Sequence, residues 1–542
     1  MHTAQKQVFP FQEKPKLPQL MLGTRLDTVT PRHLLKHMGA GHTPFMSNVR
    51  PSRGILKKRN GYSTIWNFPD EIMGFHISKV KSSGESKWYA IIPCANGKIY
   101  EWDMDYGPTH ADWDPPNVGI KDITGTVTVT AARADTSKAY FQFCDWYDRY
   151  LGHVVVMTNG IDVPIIYDKI AGSLYHLGTV MNSPQTGLSV AWQNETINSA
   201  RFVGGMKGVL YFSYVDISGA PDAGTPNPFR TVWSAAADSR DFEFDLRYQD
   251  RPEDDEYIGG LIHHKGNLFL GKEDRQIYAI GAYSRYQNLE SGYGFSSPWG
   301  QCSGDSLIYN SQGQVRTIDG QWLSEPIHNL FATDKISSWS EIRIIRDPYN
   351  GNIYASTGHR IWEFDVSIGS WFQYDYGNRE VKVLGAIPPY MKFMYQWPGY
   401  VFQHEFVLAE YDIISDIILQ IGTKTLVRQA PWYNDDGLDI NFTYDFPWLD
   451  MGDPSKDKSW RTMMFLGEPD TGPFSLLGSF SDYPKMPEYN KNLGSLSFDS
   501  RGKAEFNYEH RYRLGTFRIF ESSSNKFNVA MAFCSADIEQ DV

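Results

Sequence analysis

Short apolar, β-rich runs divided by polar turns recur along this chain, and the stretch from Gly259 to Asp375 shows the pattern best. It reads GGLIHHKGNLFL, DRQIYAIG, SLIYNSQGQVRTIDGQWLSEPI and DPYNGNIYASTGHRIWEFD, with SWFQYD behind. In each phrase a Gly or Asn-Gly turn joins two runs, the sequence signature of antiparallel hairpins. Similar units begin at Lys87. Their turns fall at Asn96-Gly97, Asn159-Gly160, Lys207-Gly208, Lys265-Gly266, Gln312-Gly313 and Asn350-Gly351. Several strands close on an aromatic or apolar residue followed by Asp, as in Trp102-Asp103, Tyr167-Asp168, Val215-Asp216 and Phe364-Asp365, which suits a strand leaving into a polar turn. Turns roughly 40 to 60 residues apart match four-stranded propeller blades, so about six blades are expected between Trp88 and Asp375. A two-sheet sandwich with long loops is the structural alternative.

The flanks read differently. Residues 1–44 carry Pro10, Pro15, Pro18 and Pro31 with little periodicity, which predicts an extended arm, ordered on a neighbouring subunit or left as a flexible tail. Phe45–Tyr62 is a turn-rich lead-in to the first strand. Pro388–Tyr400 breaks the repeat with prolines and exposed-looking aromatics, and strands resume from Phe402. The expected organisation is an all-β chain: an arm over 1–44, a β-propeller-like domain over 45–395 and a β-sandwich-like domain over 396–542. This last domain is expected to form a platform with the N-terminal segment.

Composition agrees with that class. Aromatics at 15%, with 32 Tyr and 16 Trp, favour strands, where large rings pack across neighbours. The net charge of −12 comes without a visible basic stripe, which argues against a protein that grips DNA by its phosphates. Lys57, Lys58 and Arg59 form a short basic cluster beside Arg50 and Arg53, which reads as a solvated surface cluster or, as the minority reading, a weak grip on DNA. Cys94, Cys144, Cys302 and Cys534 are too far apart for zinc spacing or a disulfide framework and read as buried free thiols. No signal-peptide core and no apolar run near the roughly 20 residues of a membrane helix is present, so a soluble chain made without export is expected.

Candidate chemistry is thin. Asp250–Glu256 is an acidic run, a solvated loop or, as a minority reading, a metal-binding loop. Asn434-Asp435-Asp436-Gly437 lacks the ligand pattern of a calcium loop and reads as a turn. Ser497–Phe506 is faintly like a sialidase Asp-box, with one residue too many between Asp499 and Gly502. His263 and His264 are adjacent and so face opposite sides of a strand. No HExxH, GxSxG or phosphate-cradling loop occurs. No catalytic, cofactor or metal residue is therefore assigned.

Three stretches carry a resemblance: NVRPSRGILKKRNGY (Asn48–Tyr62), GQWLSEPIHNLF (Gly320–Phe331) with the hairpins behind it, and FPWLDMGDPSKDKSWRTMMFLGE (Phe446–Glu468) with YRLGTFRIFES near the end. Together they resemble the tail nozzle, or tail-tube, proteins of short-tailed bacteriophages, through loose motifs of glycines, aromatics and spacing. The resemblance implies a structural virion protein with no enzymatic role. It would be assembled in the bacterial cytoplasm into a closed ring, usually of six copies, below portal and adaptor and beside tail fibres or tailspikes. Such a ring seals the genome and lets double-stranded DNA pass without reading its sequence, while its tip meets the host envelope. The rival expectations are a receptor- or glycan-binding propeller at a tail tip, with Pro388–Tyr400 as its contact loop, and a glycan-degrading propeller enzyme.

Overall fold

The computed structural model describes residues 3–10 and 46–538, apart from 53–54, 83–84, 105–118, 131–139, 179–180, 183–188, 191–195, 239–240, 243–246, 251–254, 274–276, 281–285, 289–291, 328–338, 388–415, 430–433, 447–454 and 483–487 and the single positions 219, 221, 349, 368 and 524. Apart from two 3-10 turns the described elements are all strands.

Seven small antiparallel sheets follow one another. Blade 1 is His76–Ser82, Glu85–Pro93, Ile99–Asp103 and Ile120–Asp122. Blade 2 is Gln142–Asp148, Gly152–Thr158, Ile165–Asp168 and Ser173–His176. Blade 3 is Ile197–Met206, Val209–Ile217, Asn227–Trp233 and Tyr248–Asp250. Blade 4 is Ile258–His264, Asn267–Lys272, Ile277–Ile280 and Tyr286–Asn288. Blade 5 has three strands, Gln301–Ser303, Leu307–Ser311 and Gln314–Thr317. Blade 6 is Arg343–Arg346, Ile353–Ser356, Arg360–Asp365 and Ser370–Asp375. Blade 7 is assembled from both ends of the array. Val381–Ile387, Asp416–Ile421 and Thr425–Gln429 are completed on the outside by Tyr62–Asn67. Strands on both sides of the expected domain boundary at 395/396 thus hydrogen-bond in one sheet.

The ring closes because every sheet is buried on both faces. Side chains alternate along a strand, so Val155 and Met157 of blade 2 pack on Tyr89 and Ile91 of blade 1, while Val154 and Val156 pack on Val203 and Phe212 of blade 3. The same division recurs in blade 4, where Leu268 and Leu270 meet Phe202 and Phe269 meets Leu307 and Tyr309. Apolar clusters fill all seven blade-to-blade interfaces, six of them separate, while the one between blades 6 and 7 (Ile361, Phe372, Val383, Leu419) runs on into the core of the C-terminal sheets. The closing one sets Ile65, Leu384, Ile418 and Leu426 of blade 7 against Ala90, Ile92 and Trp102 of blade 1. Burial on two faces also explains why strands such as HVVVMT read as continuous apolar runs.

The corners follow turn chemistry. Gly97, Gly160, Gly208, Gly266, Gly313 and Gly351 all have positive φ, and Lys207, Lys265 and Gln312 precede theirs with positive φ as well. Some strand-end aspartates accept backbone N–H groups just beyond, as Asp168 Oδ1 does from Ile170 and Ala171 and Asp365 Oδ1 from Ser367, whereas Asp216 lies one residue inside its strand and accepts from the Gly224 N–H.

Apart from a two-stranded ribbon, Met181–Asn182 with Ser189–Val190, in the chain between blades 2 and 3, the remaining described strands form a two-sheet sandwich. Sheet I orders Val49–Ser52, Ile55–Lys58, Asn528–Ile538, Lys458–Gly467 and Lys503–Tyr512, and Thr3–Pro10 pairs along the Asn528–Ile538 strand. Sheet II contains Met46–Ser47, Leu438–Asp445, Leu514–Ser523, Phe474–Ser481 and Lys491–Leu496. It continues into blade 7 through Asn434–Asp435, whose Asp435 lies beside Tyr62. The chain therefore starts in the sandwich, circles the ring and returns. Ile65→Ala, which hollows the closing interface and removes no hydrogen bond, is expected to cost about 2–5 kcal/mol in chemical denaturation. Val366→Ala at the exposed corner of blade 6 should stay within about 0.5 kcal/mol.

Candidate functional site

Two buried polar clusters stand out, one where the sandwich docks on the ring and one on the ring's axis. The first is built on the lead-in Asn48–Tyr62. Asn48 takes a left-handed conformation, with φ 59°. Its N–H donates to the Gln373 carbonyl, and its Oδ1 accepts from Arg59 Nε at 2.9 Å and from the Asp375 N–H at 2.7 Å. Its Nδ2 reaches the Asn441 carbonyl in sheet II. One side chain thus ties the lead-in, blade 6 and the sandwich.

Arg59 grips Asp435 with both Nη atoms, at 2.8 and 2.6 Å, and lies 4.3 Å over the Tyr376 ring. Burial works against its charge, but Tyr376 and Asp435 outweigh it and the guanidinium pKa rises. Arg50 Nη1 donates to Glu363 Oε1 at 2.5 Å, and the same buried carboxylate accepts from Asn352 and from the Tyr354 and Tyr374 hydroxyls. Glu363 raises the Arg50 pKa well above its usual range. Lys58, with its ammonium fully enclosed, meets Glu521 at 3.0 Å and the carbonyls of Ser523 and Asn525. Burial lowers the Lys58 pKa and raises that of Glu521, so desolvation outweighs the pair's attraction on both sides.

These contacts correct the reading of Lys57–Arg59 as a solvated patch or a grip on DNA. Lys58 and Arg59 are buried, their charges matched by acids far along the chain. Arg53 lies outside the described residues.

The second cluster gathers residues at or just before the starts of innermost strands. Arg343 of blade 6 is 3% exposed and lies 5.2 Å over the Tyr140 ring, which leads blade 2, and 4.7 Å over Trp299, which leads blade 5. Tyr140 and Trp299 meet edge to face at 5.7 Å, and Gln142 Nε2 donates to the Pro298 carbonyl. Lys382 of blade 7 pairs with Glu380 at 2.8 Å and lies 4.0 Å from Glu71, which accepts from the Tyr140 hydroxyl. Blades 2 and 5 are on opposite sides of the ring, so this end of its axis is filled by side chains. Burial lowers the Arg343 pKa.

A cleft of about 310 Å³ between blades 1 and 2 is lined by Ser78, Lys79, Trp88, Tyr89, Asp145 and His153 among others. Ser78 Oγ donates to Asp145 Oδ1, and the other oxygen of that carboxylate lies 3.0 Å from His76 Nε2.

The remaining candidates resolve as follows. His263 is exposed and His264 buried, its Nδ1 2.9 Å from Ser303 Oγ. Asp499 caps a turn by accepting from Arg501 and Lys503. Asn434–Gly437 is a tight turn, and its Asp435 serves Arg59. Of Asp250–Glu256, Asp250 pairs with Arg230 and 251–254 lie outside the described residues, as do the 388–400 aromatics. No cluster of three or more potential metal ligands occurs among the described residues. Cys94, Cys302 and Cys534 are buried free thiols and Cys144 is half-buried. Sequence reasoning missed Glu363, Asp435 and Glu521 at the docking cluster and Tyr140, Trp299 and Arg343 on the axis.

No protein-family model matches the chain, and no curated protein matches it. Among solved structures it is similar to the computationally designed Ika8 protein, with TM-score 0.36 and 11% identity over 68% of this chain and 100% of that one. It is similar also to a chain of the mitotic checkpoint complex, with TM-score 0.35 and 10% identity over 63% of this chain and 84% of that one. Likeness at that level carries no argument about function.

Asp435→Ala leaves Arg59 buried without its partner and is expected to cost about 3–5 kcal/mol by denaturant unfolding. The raised Glu521 pKa means the folded state binds the proton more tightly than the unfolded chain. The stability of wild type relative to Glu521→Gln should therefore increase as pH falls from neutral towards the usual carboxylate range. Thermal midpoints across that range check the sign.

Proposed function

We propose that the chain is a wall-forming structural protein of a short phage tail, several copies closing a ring through which double-stranded DNA leaves. The observation that carries this reading is the docking cluster. The segment Asn48–Tyr62, one of the three stretches that carry the resemblance to tail nozzle proteins, supplies side chains that lock sandwich to blades. A component that must hold packaged DNA needs such rigid coupling. Repeated heterologous contacts between copies close a ring when the rotation allows. In this reading DNA runs down the axis of the assembled ring, since one end of each copy's own axis is filled by Arg343, Tyr140 and Trp299. An acidic lumen, suggested by the net charge of −12, would let phosphates slide.

A second reading, a glycan-binding tail-tip propeller, draws on the Trp88-lined cleft between blades 1 and 2. Negative-stain images of the purified chain decide the first reading. Rings with a central hole are expected, and a uniform field of single particles would overturn it. Loss of host adsorption on deleting Met391–Pro398, with genome retention intact, would favour the second.

A further inference from the structure

The strand Thr3–Pro10 pairs with the final strand over eight residues, from Thr3 opposite Ile538 to Pro10 opposite Met531. The final strand is central to sheet I. Its other edge is held by Lys458–Gly467 throughout, and Ala532 and Cys534 are buried. The sandwich's own hairpin covers only Asn528 and Val529 on the arm's side. Without Thr3–Pro10, the backbone from Met531 to Ile538 presents an open row of donors and acceptors, a template for any strand that reaches it.

The link to that strand is far longer than its own sheet requires. Pro10 lies opposite Met531, two residues from Val529, which faces Leu56. Met46 begins in the facing sheet opposite Tyr444, and packed sheets are about 10 Å apart. Residues 11–45 join the two ends, a stretch that can reach on the order of 100 Å when extended. A longer link raises the entropy cost of closing it onto its own sheet, though only slowly with length. The hydrogen bonds are the same whichever copy supplies the strand, so exchange between neighbours costs little, and a ring holds the neighbour's arm at high effective concentration.

We propose that Thr3–Pro10 completes sheet I of a neighbouring copy, so that each subunit is stitched to the next by an eight-residue strand. This rests on the ring reading above. Exchange turns a contact between faces into one that separates only when a sheet unzips.

The test is a cross-link in the full chain. Lys6 and Ser535 are opposite each other in the strand register. Lys6→Cys/Ser535→Cys is oxidised, then run on a non-reducing denaturing gel, with wild type and Lys6→Cys alone as controls for the natural thiols. Particle size is measured in parallel by light scattering. Rings that yield a ladder of covalent multimers support exchange. Rings that yield only single chains carrying an internal 6–535 disulfide, read by peptide mass, overturn exchange and leave the ring standing. Monomers carrying the internal disulfide overturn both. Absence of any 6–535 link also overturns the proposal, because the pairing itself is then missing. Gln7→Cys, opposite the natural Cys534, gives a second, independent register check.

Discussion

The fold depends on one constraint: a ring of sheets apolar on both faces has no free end. Blade 7 must bury its outer side against blade 1 while still being four strands wide. The chain meets this by giving its first core strand, Tyr62–Asn67, to the last blade, where it pairs with Thr425–Gln429 and places Ile65 against blade 1. Loop-closure cost grows only slowly with length, so even so distant a pairing is repaid by the interface it completes.

Closing the ring this way fixes the segment before it. Residues 46–60 sit between a strand locked into blade 7 and a sandwich made mostly from the chain's other end. Asn48, Lys58 and Arg59 are therefore enclosed, with Arg50 half-buried beside them, and each needs a partner. Asn48, Arg50, Lys58 and Arg59 find theirs in the Asn441 carbonyl, Glu363, Glu521 and Asp435. Buried pairs of this kind add little net stability over a well-packed apolar core, yet breaking one is costly. That asymmetry suits a joint whose task is to hold two modules in a single arrangement.

Local chemistry was legible and distant pairing was not. The hairpins at Lys265-Gly266 and Asn350-Gly351, the Asp-terminated strands and the opposed facing of His263 and His264 all follow from the sequence, because each is decided within a few residues. The seventh blade is split between Tyr62–Asn67 and Val381–Gln429, and no neighbouring residue announces that they meet. The basic cluster misled for the same reason. A run of Lys and Arg looks solvated until Asp435 and Glu521 are brought beside it. On the axis, Tyr140, Trp299 and Arg343 come from three blades and share no spacing that a linear reading could detect. The spacing of Gly turns varied because they mark different corners: Gly208, Gly266 and Gly351 join first to second strands, whereas Gly97, Gly160 and Gly313 join second to third.

Amide hydrogen exchange under native conditions tests the closure most directly. If Tyr62–Asn67 is the element that shuts the ring and ties it to the sandwich, its paired amides exchange only through global opening. They then match the rates of Val154–Met157 in blade 2 and Phe517–Ile519 in sheet II. Exchange of Tyr62–Asn67 through a local opening, orders of magnitude faster than both, would contradict the account.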